Sequence, residues 1–273
     1  MRVWAAPCEG VGFWQHSSNG NCSDGRIKPD IIAPAQEIPT ACPPYRACRN
    51  RMIDERHATF GGTSAAAAIV SGAAGLLVAW WLDLFGRLPS PAMIKAILVN
   101  EALDNGAGPN YSQGWGRLYL KDLFNSDNSF TFVDRNVVTE GECHEFYVES
   151  KEHPVKISLV WDDVTQPSTN NNAVINQLVL CAQTNSKTFF GNNFSEGWSV
   201  FGYAPDLVNN VQKLVLPAGI YRVSIRPVRL LGRANESIQQ LNQDYSLVVK
   251  NATVRYGTRT RRVQESNYTL LEA

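Results

Sequence analysis

Charge of one sign is what this sequence most plainly lacks: 25 basic side chains stand against 25 acidic ones, a formal net charge of zero. That balance removes the general electrostatic basis for binding DNA, RNA or an anionic membrane surface. Charged residues are also few, at 18% against 44% apolar, which excludes a disordered chain and describes a folded one. No internal repeat or low-complexity tract is present. None of the six cysteines forms a CxxC pair, so the spacing expected of a zinc site is absent. The start, Met1-Arg2-Val3-Trp4 leading into Pro7 and Cys8, has no long apolar stretch and is not a secretory signal.

What is present points outside the cytoplasm. The cysteines are Cys8, Cys22, Cys42, Cys48, Cys143 and Cys181, and N-x-S/T sequons stand at Asn21, Asn193, Asn235, Asn251 and Asn267, among others. Together they favour an oxidising, secreted or endolysosomal compartment, with disulfides and glycosylation. Such a chain without a leader is expected to have lost its beginning. Six cysteines allow 15 pairings. Sequence proximity favours Cys42 with Cys48, Cys8 with Cys22, and Cys143 with Cys181.

At 273 residues the chain has room for one or two domains. From Ala65 to Leu82 there is no formal charge, and the run AAAAIVSGAAGLLVAWWL is about as long as a bilayer span. It lacks flanking basic anchors and is followed at once by Asp83, so it is read as a helix buried on all sides in a soluble domain, not as a transmembrane segment. Gly86 stops it. A second helix starts at Ser90-Pro91, a cap followed by proline in the first turn, and runs to about Leu103, with Gly106 and Gly108 ending it. Ile31-Ile32-Ala33 is a short strand, and Cys42 to Arg56 a polar surface excursion.

The second half changes period. Val155, Ile157, Leu159 and Trp161 alternate with Lys156 and Ser158. Tyr221, Val223 and Ile225 alternate with Arg222, Ser224 and Arg226, and Tyr245, Leu247 and Val249 follow the same pattern. Pro217-Ala218-Gly219 separates two such runs as a hairpin connection would. These signs predict an antiparallel sandwich or jelly roll from about Asn128 to Ala252. The tail from Thr253, with Arg255, Arg259, Arg261 and Arg262, is expected to be polar and partly ordered at best.

One short motif carries chemistry. Gly61-Gly62-Thr63-Ser64 directly precedes the apolar helix. The glycines permit a sharp turn and close approach of another strand, and a serine in the first helical turn sits beside unsatisfied N–H groups and the positive dipole end. Those are the requirements for stabilising an acyl-transfer oxyanion. Alone, the four residues read equally as an ordinary helix cap.

Their context is specific. Asp24-Gly25-Arg26-Ile27-Lys28-Pro29-Asp30-Ile31-Ile32-Ala33-Pro34 resembles the DGRIKPDIvAPG segment of subtilases, the subtilisin-like serine peptidases. His16-Ser17-Ser18-Asn19-Gly20 resembles the FSSRGP stretch before it. Gly61 to Leu77 is similar to GGTSMATPIVAGAAALL, and Gln113-Gly114-Trp115-Gly116-Arg117-Leu118 to QGWGRV. In the second half Ile157 to Asp162, then Ile175-Asn176-Gln177-Leu178, resemble ISLVWsD and LVNDLDL of family members with a C-terminal β-domain. The resemblance implies an α/β fold, the C-terminal part of a parallel-sheet catalytic domain over 1–126. An antiparallel β-sandwich or jelly roll follows over 127–253, and a polar basic tail over 254–273.

The resemblance also implies a serine endopeptidase acting on polypeptide substrates, with Ser64 attacking the scissile carbonyl and its own N–H contributing to the oxyanion hole. The family's Asp, His and oxyanion-hole Asn precede the serine, yet no Asp-Ser/Thr-Gly block and no His-Gly-Thr block occurs here. His16, His57, His144 and His153 lie in unrelated contexts. His57, seven residues before Ser64, reads as a surface-loop residue, and Asp24 belongs to the segment before the serine. The family's Met-Ala-Thr-Pro is Ala65-Ala66-Ala67-Ala68. Ala35 replaces a glycine, where a backbone with φ > 0 would resist it. No cofactor is required. Structural calcium, which subtilases often bind, finds no definite place, because Gln177 and Val179 replace two aspartates and Asp162, Asp163 and Asp206 read as solvated.

Two readings compete with an active peptidase. The chain alone is a catalytically inactive fragment or pseudoenzyme acting through its β-domain, or it is a carbohydrate- or protein-binding jelly roll with a vestigial helical appendage. Residues 1–126 are expected not to be stable alone, because apolar faces around Ala65–Trp81 would be left uncovered.

Overall fold

The structure, a computed structural model, describes residues 2–5, 12–13, 16–18, 20–42, 52–165, 174–256, 261–265 and 267–272. Strands β1 (Arg2–Ala5), β2 (Gly12–Phe13) and β3 (Ile32–Pro34) form a small mixed sheet in the order β2-β1-β3, with β1 and β3 parallel. Strands β4 (Ile38–Ala41) and β5 (His57–Phe60) make an antiparallel hairpin. Helix α1 (Thr63–Phe85) follows, then α2 (Pro91–Glu101).

Helix α1 is alanine-rich, so its intrinsic propensity is high. Gly86, at φ 67°, closes it by donating its N–H to Leu82 O. Ala66, Val70, Leu77 and Trp81 lie on one stripe and are buried. The opposite side carries Ala68, Gly72, Gly75, Ala79 and Leu82, and Leu76 is 70% exposed. A helix buried on all sides is therefore not what forms. Its side chains are apolar all round, so periodicity cannot say which face has a partner. By length and apolar composition this helix is also long enough to cross a membrane.

Helix α2 begins as expected: Ser90 Oγ accepts the Met93 N–H at 2.9 Å, and Pro91 occupies the first turn. It ends earlier than expected. Ala102 donates its N–H to Leu98 O after Glu101, and Gly106 and Gly108 lie in the following loop.

The rest is sheet. Strands β6 (Phe130–Thr139), β7 (His144–Ser150), β8 (Val155–Val160), β9 (Gln177–Gln183), β10 (Thr188–Ser195), β11 (Trp198–Phe201), β12 (Val211–Leu216), β13 (Gly219–Arg229), β14 (Asn242–Lys250), β15 (Thr253–Tyr256), β16 (Arg261–Glu265) and β17 (Tyr268–Glu272) form two six-stranded sheets. Their orders are β11-β10-β9-β13-β7-β15 and β12-β8-β14-β6-β17-β16. All neighbours are antiparallel except β17 with β6. The alternating residues Val155, Ile157 and Leu159 meet Val223, Ile225, Leu180 and Phe146 in the core between the sheets.

The outer face of the second sheet is apolar too. Phe130, Phe132, Val160, Val211 and Val248 pack against Trp81, Met93, Ala96 and Ile97, so one apolar cluster joins helices to sheet. Trp81 and Phe132 meet edge to face with centroids 5.1 Å apart, as do Trp80 and Tyr268 at the same separation. Burying Phe132 completely contributes roughly 3 kcal/mol. The result is three layers: helices, sheet, sheet.

Two expectations are corrected here. The described residues from Thr253 onward form mainly strands rather than a loose tail, and β17 inserts Leu270 at 1% exposure beneath the helices. The arginines dominate the composition of this stretch and hide a short apolar alternation. Two of the three cysteine pairings also fail, Cys8 with Cys22 and Cys143 with Cys181: Cys22, Cys143 and Cys181 are free. Cys181 on β9 pairs with Ser224 on β13, which pairs with Glu145 on β7, two residues from Cys143. Two strand spacings separate the two backbones, about 10 Å between Cα atoms, too far for a disulfide. Cys42 is disulfide-bonded; Cys8 and Cys48 lie outside the described residues.

Candidate active site

The turn between β5 and α1 is built on backbone contacts that only glycine permits. Gly62 sits at φ 98° and donates its N–H to Ala35 O at 2.7 Å. A Cβ on Gly61 would meet the same oxygen at 3.0 Å. Ala35 itself is not among the positive-φ residues, so its replacement of a glycine carries no backbone strain.

Ser64 is the second residue of α1 and is exposed. No side chain caps the helix, and its first turn contains no acidic residue. The Thr63 and Ser64 N–H groups have no intrahelical acceptor by helix geometry. The positive end of the helix dipole is therefore left uncompensated beside a hydroxyl. Such an arrangement favours an oxyanion placed at Ser64.

The neighbouring motifs form a scaffold for this turn. Ile32 donates its N–H to Gly116 O at 3.0 Å, and Leu118 donates to Ile32 O at 2.7 Å. Trp115 donates its N–H to Asp30 O at 2.8 Å. Gly114, at φ 63°, lies so close to Pro29 and Asp30 that a Cβ would stand 2.1 Å from Pro29 O. Asp30 accepts from Lys28 at 2.6 Å and pairs with Lys95 of α2 at 3.4 Å. Burial pushes its carboxyl upward, but Lys95 and Lys28 outweigh that and hold it below the ordinary range.

A second set of contacts anchors this scaffold to the β-sandwich. Trp115 Nε1 donates to Asn192 Oδ1 at 3.1 Å, and Asn192 Nδ2 donates to Asp206 Oδ2 at 2.6 Å. Asp206 also accepts from the Val208 and Asn209 N–H groups and from Asn209 Nδ2. Asn209 Oδ1 then accepts the Ile27 N–H at 2.7 Å. Asp206 is thus fully engaged rather than solvated. So is Asp163, which accepts from Val164, Ile175 and Asn176 N–H groups. Among the described residues no group of three or more His, Cys, Asp or Glu side chains could hold a metal.

Among the described residues no histidine is hydrogen-bonded to Ser64. His57 is exposed on β5, opposite Ala41, with its Nδ1 2.9 Å from both Asp54 carboxylate oxygens. At about 3.3 Å per strand residue, His57 stands about 13 Å from Gly61. His144 lies in the sandwich, 2.8 Å from Tyr245 Oη, and His153 is exposed between β7 and β8. His16 is exposed. Asp24 binds Arg26, its Oδ2 accepting from Nε at 3.0 Å. Sequence reasoning missed the Asn192, Asp206 and Asn209 anchor, whose members have no local motif.

A family model and two relatives match this chain. Residues 13–116 match the Subtilase family (Peptidase_S8) model. The chain is 26% identical over 283 residues to the Serine protease/ABC transporter B family protein tagA of Dictyostelium discoideum, covering 86% of this chain and 15% of that protein. It is 27% identical over 149 residues to the Serine protease/ABC transporter B family protein tagD of the same organism, covering 41% of this chain and 8% of that protein. The chain thus spans about a sixth or less of the length of these relatives. Residues 13–116 are thus similar to the Subtilase family.

Proposed function

We propose that Ser64 is the nucleophile of a secreted or endolysosomal serine endopeptidase that cleaves polypeptides through an acyl-enzyme, with the triad Asp and His supplied from upstream sequence. The observation that carries this reading is the exposed Ser64 hydroxyl at an uncapped helix N-terminus with no acidic side chain in its first turn. In the reaction the Ser64 oxygen adds to the scissile carbonyl and its proton passes to the histidine base. The carbonyl oxygen becomes an oxyanion facing the N–H groups of the helix start. The amine leaves with the proton returned from that histidine, and water then releases the acyl group. The experiment is labelling of the full-length protein with a fluorophosphonate. Labelling lost in Ser64→Ala supports the reading; an unlabelled Ser64 in folded full-length protein overturns it.

The second reading is inactivity of the 273 residues by themselves, motivated by the place of His57. His57, the histidine nearest to Ser64 in sequence, is turned to Asp54 at the far end of its hairpin. Removing the base of a serine nucleophile lowers hydrolysis by orders of magnitude. The isolated chain is therefore expected to hydrolyse peptides negligibly. Turnover that survives Ser64→Ala would contradict both readings.

A further inference from the structure

The outer face of the second sheet holds an unexpected group of amines. Lys156 on β8 stands directly opposite Val215 on β12 and Lys250 on β14, and Lys213 is two residues from Val215. All three lysines therefore share one face, below the C-terminal end of α2. Lys250 is paired, with Glu101 at 3.0 Å and Asp122 at 3.1 Å. Lys213 donates to Val99 O at 2.7 Å, a carbonyl near the helix end. Lys156 has no hydrogen-bond or ion-pair partner among the described residues.

Lys156 and Lys213 form part of the floor of a cavity of about 330 Å³ between this sheet, the loop after α2 and the β10–β11 hairpin. The walls include Trp115, Phe194 and Trp198. Asp104 and Glu196 also line it; Asp104 accepts from Gly108 N–H and Gln113 Nε2 and makes no ion pair with Lys156, although its charge, like those of Glu101 and Asp122, favours the charged amine. Burial disfavours the charged form of Lys156, and the neighbouring Lys250 adds to that. Lys156 is thus an amine with no anion in hydrogen-bond contact, beside aromatic walls, and the cavity is of the size of small-ligand sites.

We propose that this cavity binds a carboxylate carried on an aromatic or aliphatic body, with the carboxylate on Lys156 and Lys213 and the body between Trp115, Phe194 and Trp198. The carboxylate supplies a contacting anion that Lys156 lacks, and the two amines offer N–H donors to its two oxygens. Either a free small acid or the C-terminus of a peptide presents this chemistry. The site lies apart from Ser64 and does not depend on its reactivity.

The test uses the 273-residue chain, phenylacetate and the isosteric neutral phenylacetamide, with binding read by calorimetry. Phenylacetate is expected to bind saturably and at least tenfold more tightly than the amide. Lys156→Gln, which keeps a similar length and N–H donors but not the charge, should weaken the acid about tenfold and leave the amide unchanged. Trp198→Ala should weaken both, and a cooperative melt confirms each variant's fold. The peptide Ala-Ala-Phe with free and amidated ends distinguishes the sources. Binding of the free-acid peptide assigns a chain terminus, and its exclusion while phenylacetate binds assigns a small acid. Equal affinity for acid and amide, no saturable binding of phenylacetate, or full affinity in folded Lys156→Gln overturns the proposal.

Discussion

Trp115 and Asn192 meet across 77 residues of sequence, the indole N–H donating to the amide oxygen at 3.1 Å. Asn192 also receives the Lys213 N–H and donates to Asp206 and Val211 O, so this contact links the loop beneath the serine turn to the sandwich. Asp206 is its centre, because one carboxylate satisfies four N–H donors.

Removing that carboxylate leaves donors of Asn192, Val208 and Asn209 without their acceptor. Hydrogen bonds to a charged group contribute about 1.5–3 kcal/mol, and unsatisfied buried partners add to the loss. Asp206→Ala is therefore expected to destabilise the chain by about 3 kcal/mol. Urea unfolding measures this; a change below about 0.5 kcal/mol, the range of ordinary surface substitutions, would show that the network does not join the two parts.

Gly114 makes a sharper prediction. A Cβ there would lie 2.1 Å from Pro29 O and 2.3 Å from Asp30 O, both rigid backbone atoms, in a conformation that already disfavours side chains. Gly114→Ala should cost more than about 4 kcal/mol, in the range reserved for such backbone conflicts. The same change at Gly72, which has nothing within 4 Å, should stabilise α1 by about 1 kcal/mol. Paired thermal melts of the two variants read the contrast.

How far this architecture is legible in the sequence depends on the range of each interaction. Ser90-Pro91 announces α2 because cap and proline act locally, and Ser90 Oγ does accept the Met93 N–H. The same Ser90 Oγ donates to Asp134 Oδ1 at 2.5 Å, and Ser246 Oγ donates to that oxygen at 2.9 Å. Neither partner is near Ser90 in sequence, so no spacing reveals the pair. Ser64 is legible through flanking motifs, but its exposure and the distance of His57 follow from strand direction. The free Cys143 and Cys181 escape prediction likewise: only the register of β7, β13 and β9 shows that a strand separates them.

Lys213 should give stability a pH dependence. Burial, followed by the nearby Lys156, pushes its amine down to about 7 from 10.5. Below about pH 7 both folded and unfolded chains carry this proton, and the full cost of burying charge is present. Between about 7 and 10.5 the unfolded state holds a proton that the folded state has released, so this group makes stability rise with pH. The slope is at most about 1.4 kcal/mol per pH unit. Lys213→Met removes the contribution, so the variant should gain stability relative to the parent at neutral pH and lose that advantage toward pH 10. A difference between the two that stays constant from pH 6 to about pH 10 would show that Lys213 is protonated throughout in the folded protein.

Leu270 tests whether the C-terminal strand belongs to the core. It is 1% exposed and lies in the cluster that joins Trp81 and Phe132 to the sheet, while Tyr268 of the same strand stacks on Phe130 and donates its hydroxyl to Leu123 O. A leucine-to-alanine change at such a site costs about 2–5 kcal/mol, the lost transfer energy plus a cavity term. Leu270→Ala should fall in that range, and its effect should appear in the single unfolding transition rather than as local fraying. If β17 only rests on the surface, the variant will melt with the parent. If it closes the cluster, residues 1–126 expressed alone will also fail to melt cooperatively as a soluble monomer, because Phe130, Phe132 and Leu270 supply the surface on which α1 and α2 bury their apolar stripes.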